Sequence, residues 1–75
     1  MKRIRKTEIP PVIVELGMRI KEIIRSKNLT QKDVAYEAGL DVENLRKYLK
    51  GTQEMKVSTM LKLAKALDVE VKDLF

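Results

Sequence analysis

The residues that could take part in chemistry are notable for what they omit. The chain has no cysteine and no histidine. That excludes disulfides and thiolate zinc sites, and it removes the commonest general base and metal ligand. A length of 75 residues allows one small domain and little room to enclose a pocket of ordinary enzyme size. No cofactor is expected, and catalysis is the least favoured reading. What remains is charge and hydrogen bonding. Sixteen Lys and Arg stand against eleven Asp and Glu, a net charge of +5. Lys2, Arg3, Arg5 and Lys6 lie in the first six positions, so residues 7–75 hold twelve basic and eleven acidic residues. A basic arm of this kind suits phosphate or an anionic membrane surface; the plainer reading is a solvated tail.

The basic start is not followed by an apolar run of signal-peptide length, because Glu8, Pro10, Pro11 and Glu15 interrupt it. No stretch approaches the roughly 20 apolar residues of a membrane helix. The expectation is a protein that stays in the cytoplasm, where it is made, with no membrane partner.

The spacing of apolar residues predicts the elements that must carry any site. Pro10-Pro11 suits the first turn of a helix. Val12, Leu16, Ile20, Ile23 and Ile24 then recur at spacings of three and four, the stripe of an amphipathic helix ending near Lys27. Gly17 interrupts that helix at a cost of about 1 kcal/mol relative to alanine, and a close helix contact would explain it. Asn28-Leu29 reads as a turn, with Asn28 suited to the left-handed conformation. Thr30 caps a second helix, about Gln31 to Ala38, with Asp33 approximating a capping box. Gly39 stops it. Asp41 caps a third helix, about Val42 to Lys50, with Leu45, Tyr48 and Leu49 inward, and Gly51 ends it. A fourth helix runs from Val57 or Thr59 to Leu67, with Val57, Met60, Leu61, Ala64 and Leu67 expected inside. Asp68 breaks it, and Glu70 to Phe75 make a last short helical turn that puts Val71, Leu74 and Phe75 on the core. Met18, Met55 and Met60 are expected as core filler or loop.

One constellation carries more than secondary structure: Thr30-Gln31-x-x-Val34-Ala35-x-x-x-Gly39-x-x-x-x-x-Leu45-x-x-Tyr48. Two short helices that cross steeply need a tight turn, hence the glycine, and a small residue where the backbones approach, hence Ala35. The motif resembles the helix-turn-helix of the Cro/repressor-type (XRE-like) DNA-binding family. The run Ile20-Lys21-Glu22-Ile23 … Asn28-Leu29-Thr30-Gln31-Lys32-Asp33-Val34-Ala35 looks like that family's passage from helix 1 to helix 2. Leu61-Lys62-Leu63-Ala64-Lys65-Ala66-Leu67-Asp68-Val69 … Asp73-Leu74-Phe75 looks like its helices 4 and 5. The resemblance implies an all-α fold, a compact five-helix bundle of the lambda-repressor-like helix-turn-helix type. It divides the chain into a basic N-terminal arm, 1–11, and a DNA-binding domain, 12–75.

The resemblance also implies a site. The partner is double-stranded DNA, with helix 3 in the major groove and helix 2 across the backbone. Gln31 is then expected to bond a phosphate at the N-terminus of helix 2. Val42, Glu43, Asn44 and Lys47 occupy the outward positions where the family reads bases. Lys47 suits guanine O6 and N7, Glu43 suits cytosine N4, and Val42 suits a thymine methyl. Arg46, Lys50 and Thr52 suit phosphate, which positions without specifying. The arm residues Lys2, Arg3, Arg5 and Lys6 are further candidates. The plainer readings are a core or helix-start role for Val42, a solvated carboxylate for Glu43 and packing for Tyr48.

Three departures from the family pattern stand out. Many members pair an Arg near the end of helix 1 with a Glu near the end of helix 3, and Ile24 and Leu49 stand there instead. An apolar contact in place of such a pair is often neutral or stabilising. Met55 and Lys56 replace a common Pro-Ser before helix 4, which points to Ser58 as the cap. Residues 30–56 hold five basic and five acidic residues, so the reading unit is net neutral and is expected to bind weakly as a monomer. The expected function is a transcriptional regulator, a repressor acting as a homodimer on palindromic DNA. Val69, Val71, Leu74 and Phe75 are the expected dimer surface. The alternative is an interaction module, such as an antitoxin binding a toxin partner.

Overall fold

A computed structural model describes residues 10–75. It contains α1 (Pro11–Ser26), α2 (Gln31–Ala38), α3 (Val42–Lys50), α4 (Val57–Leu67) and a terminal 3-10 turn (Val71–Leu74). The last element is a turn, not a fifth α-helix. The tighter 3-10 form suits a piece of only four residues. No helix among the described residues is long and apolar enough to cross a membrane.

All four helices stop by the same device. The residue after the last turn has positive φ: Asn28 at 57°, Gly39 at 70°, Gly51 at 76° and Asp68 at 59°. At each, the next residue's N–H reaches back five positions, as Leu29 to Ile24 O (3.0 Å), Leu40 to Ala35 O (2.8 Å), Thr52 to Lys47 O (3.1 Å) and Val69 to Ala64 O (2.9 Å). This Schellman geometry satisfies carbonyls that a helix end leaves without partners. The starts differ more. Thr30 Oγ1 accepts the Asp33 N–H at 3.0 Å, and Asp41 Oδ1 accepts the Glu43 N–H at 2.9 Å. The cap of α4 is Lys56, not Ser58, and its side chain makes no capping bond. Lys56 already has the extended backbone of a cap (φ −68°, ψ 154°). Lys56→Ser is therefore expected to raise stability by about 0.5–1 kcal/mol, read as a higher urea midpoint.

One apolar core joins the helices. Leu16, Ile20, Ile23 and Ile24 of α1 meet Val34, Ala35 and Ala38 of α2, Leu45 and Leu49 of α3, Leu63, Ala64 and Leu67 of α4, and Leu74. α1 packs on α3, α2 packs on α3 and α4, and the terminal turn rests on α4 and α1. Arg19 Nε donates to the Asp73 carbonyl at 3.0 Å, tying the turn to α1. Ile24 and Leu49 are both buried in this core, as an apolar replacement for an ion pair requires.

The core differs from the expected one at five apolar positions. Val57 and Leu61 are exposed, because α4 is rolled so that Thr59, Leu63, Ala64 and Leu67 face inward. The sequence of α4 carries two overlapping stripes, and packing against α2 and the terminal turn selects the second. Val12 is exposed in the first turn of α1, and Met18 is exposed rather than core filler. Phe75 lies past the end of the 3-10 turn and is 68% exposed, whereas Leu74 is fully buried. Val12, Met18 and Phe75 border one open groove of about 460 Å³.

Candidate nucleic-acid interface

The turn between α2 and α3 is only Gly39-Leu40-Asp41, so the two helices are set against each other by backbone geometry. Gly39 takes φ 70°, and Leu40 folds partly onto the core. Ala35 and Ala38 are buried on α2, while Leu45, Tyr48 and Leu49 anchor α3. That anchoring turns the other side of α3 outward. Glu43, Asn44, Arg46, Lys47 and Lys50 are exposed. Tyr48 is buried, in keeping with packing.

Each residue expected at the base-reading positions has a distinct setting. Val42 is half-buried and packs against the core. Glu43 Oε2 accepts from Arg46 Nη1 at 3.0 Å. Both side chains remain more than half exposed, and a surface pair of this kind is worth less than about 1 kcal/mol. DNA can therefore compete for either partner. Asn44 and Lys47 are open to solvent.

The expected phosphate contacts divide. Gln31 is half-buried at the start of α2. With Arg46, Leu49 and Lys50 it lines a notch of about 220 Å³, and the fifth lining residue is Lys21 of α1. A neighbouring depression is lined by Lys21, Ile24, Arg25, Leu29 and Gln31. Thr52 is placed otherwise. Its hydroxyl donates to Lys47 O at 3.2 Å at the end of α3, and a bond to phosphate would require that proton to turn away. Lys2, Arg3, Arg5 and Lys6 lie outside the described residues.

The sequence by itself assigns no role to Lys21 and Arg25, which fall between the members of the apolar stripe of α1. Their one legible signal is position. Lys21 and Arg25 lie four residues apart, on one helical side. Only the packing of α1 shows that this side borders Gln31. The charge around Gln31 is consequently far from neutral. Among the described residues four cations line the two depressions, and no carboxylate does.

Comparisons with known proteins agree with this geometry. Among solved structures, the restriction-modification controller protein C.AhdI from Aeromonas hydrophila is 33% identical with a TM-score of 0.85, over 88% of this chain and 100% of that one. The clp gene regulator ClgR from C. glutamicum superposes with a TM-score of 0.83 at 20% identity, over 87% and 84% of the two chains, a likeness of fold. A chain of the SinR–SinI protein complex gives a TM-score of 0.75 at 26% identity, over 80% of this chain and 59% of that one. Comparison with curated protein sequences finds no significant match. A family model for the Cro/C1-type helix-turn-helix DNA-binding domain matches residues 19–75. With its outward α3 and the cation-lined start of α2, the chain belongs to the Cro/C1-type helix-turn-helix DNA-binding family.

Proposed function

We propose that this protein is a transcriptional regulator, a repressor that binds palindromic operator DNA as a homodimer with α3 in the major groove. The observation that carries the reading is the division of α3. One side is locked into the core by Leu45, Tyr48 and Leu49, and the other presents Glu43, Asn44 and Lys47 to solvent. A recognition helix needs such a division, because base edges are read only by side chains held at a fixed angle to the groove. Val42 adds a partly exposed methyl surface. Gln31, Arg46 and Lys50 position the backbone, with Thr52 a weaker candidate. In this reading residues 12–75 form the DNA-binding domain, residues 1–11 form a basic arm, and the protein works in the cytoplasm by binding rather than by catalysis.

A second copy is part of the reading because residues 30–56 are net neutral. Two copies double the phosphates engaged, and in this fold class half-sites lie about one duplex turn apart. Of the expected dimer surface, Leu74 is buried in the core and Val69 and Val71 pack against it, so Phe75, with Val12 and Met18 around one groove, supplies the exposed apolar surface for that contact. The similar protein C.AhdI is a restriction-modification controller, which supports a regulatory role. A second reading rests on the similar chain found in the SinR–SinI complex: a protein partner, such as a toxin, would bind the same fold.

Selection from a random duplex pool tests the two. The expected winner is a palindrome bound far more tightly than random duplex, since specific sites commonly exceed non-specific ones by about 10³-fold or more. Weak binding without sequence preference would overturn the regulator and favour the protein-partner reading.

A further inference from the structure

We propose that Lys21 of α1 is a DNA-binding residue, and that Lys21, Gln31, Arg46 and Lys50 together hold one backbone phosphate between α1, α2 and α3. This rests on the DNA-binding reading and deepens it.

The notch is assembled from three helices. Lys21 comes from α1, Gln31 from the start of α2, and Arg46 and Lys50 from consecutive turns of α3, with Leu49 as the apolar member. Three of the five lining side chains are cations that can only donate hydrogen bonds, and the fourth is an amide. Among the described residues no carboxylate lines it. A site with several donors, concentrated positive charge and no acidic group fits an anion with several acceptor oxygens. A base edge mixes donors and acceptors and fits it poorly. The notch also adjoins the exposed side of α3, so a duplex seated on Asn44 and Lys47 brings its backbone to this place.

Lys21 has no competing engagement among the described residues. The nearby acid on α1, Glu22, lies 3.8 Å from Arg19 Nη1. Arg46 is the member with a prior partner, Glu43. Phosphate binding in the notch would draw Arg46 toward α1 and release Glu43 for the bases. Lys21 also alters the charge count. It lies outside residues 30–56, so the neutral balance of that stretch understates the positive charge the duplex meets.

The test is the salt dependence of DNA binding by the full chain. The probe is the duplex recovered by selection, or a random-sequence duplex if none is recovered. Lys21→Gln is compared with Lys50→Gln, with the double variant and with Lys65→Gln, an exposed cation of α4 that lines neither depression. Each phosphate contact contributes about 0.9 to the slope of log affinity against log salt. Arg46 and Lys50 still hold the shared phosphate when Lys21 is removed, so Lys21→Gln is expected to lower affinity for any duplex by about fivefold or more per bound chain while flattening the slope by only part of one contact. Lys65→Gln is expected to leave the slope unchanged. Lys50→Gln is expected to act likewise, and the double variant, which leaves Arg46 as the one cation on the phosphate, is expected to approach but not exceed the slope of one contact, about 0.9.

Unchanged affinity for Lys21→Gln, with the parent binding well, would overturn the inference and leave the DNA-binding reading standing. A loss of about 0.9 in slope for each single variant and about twice that for the double would mean two separate phosphates and overturn the shared notch. Failure of the parent to bind any duplex would remove both readings. Thermal melts of each variant confirm folding, which substitution of these exposed lysines is expected to spare.

Discussion

Gly17→Ala is expected to destabilise the protein by about 2–3 kcal/mol, although helix propensity alone predicts a gain of about 1 kcal/mol. The two effects differ in sign, so one measurement decides between them. A β-carbon at position 17 would lie 2.5 Å from the Tyr48 carbonyl oxygen and 2.7 Å from that of Leu49. Both are backbone atoms in the last turn of α3, which no rotamer change can move aside. Relief requires α1 to lift from α3, and that opens the core around Ile20, Leu45 and Leu49. Urea unfolding followed by helical circular dichroism gives the test. With a slope near 1 kcal/mol per molar for a small domain, the midpoint should fall by about 2 M. A higher midpoint would show that the helices do not approach so closely. DNA affinity should fall as well, because α1 carries Lys21 and α3 carries Lys47, and the two must keep their relative placement.

The second large effect concerns sequence discrimination. Lys47→Ala is expected to reduce affinity for the selected duplex by about tenfold or more per half-site, since a good side-chain contact to a base is worth about 1–3 kcal/mol. Affinity for random duplex should change much less. Lys47 is exposed in the second turn of α3, on the same side as Glu43 and Asn44. The contrast is with Lys50, one turn on, where loss of a phosphate contact should weaken binding to all sequences alike. Competition binding with the selected duplex and a scrambled one separates the two. Equal weakening on both duplexes by Lys47→Ala would reassign Lys47 to the backbone.

The helices of this protein are written locally. Thr30 and Asp41 have side-chain oxygens that close the first turns of α2 and α3, and those starts agree with the sequence-based ones. Asn28, Gly39, Gly51 and Asp68 stop the four helices where expected, because few residues tolerate positive φ and these do. The buried stripe of α1 beyond its first turn is legible for the same reason: Leu16, Ile20, Ile23 and Ile24 leave one apolar side and no alternative. α4 is the contrary case. Its two stripes share Ala64 and Leu67, and nothing local chooses between Leu61 and Leu63. Phe75 is as apolar as Leu74, yet one is exposed and the other buried, because the 3-10 turn points Leu74 at the core and Phe75 lies past it.

The candidate interface divides in a similar way. Sequence alone determined the helix-turn-helix, the identity of α3 and the outward residues Glu43, Asn44 and Lys47, since cap, glycine and apolar spacing together set the phase of a nine-residue helix. It could not pair Glu43 with Arg46, direct the Thr52 hydroxyl to Lys47 O, or bring Lys21 to Gln31. The first two depend on rotamers chosen by neighbours within a turn. The last depends on how α1 packs on α3, and Gly17 sets that by letting those two helices come within backbone contact. Tertiary structure thus decided the electrostatics of the interface. Coulomb interaction depends on distance in space, and nine residues of chain separate Lys21 from Gln31 while one notch joins them.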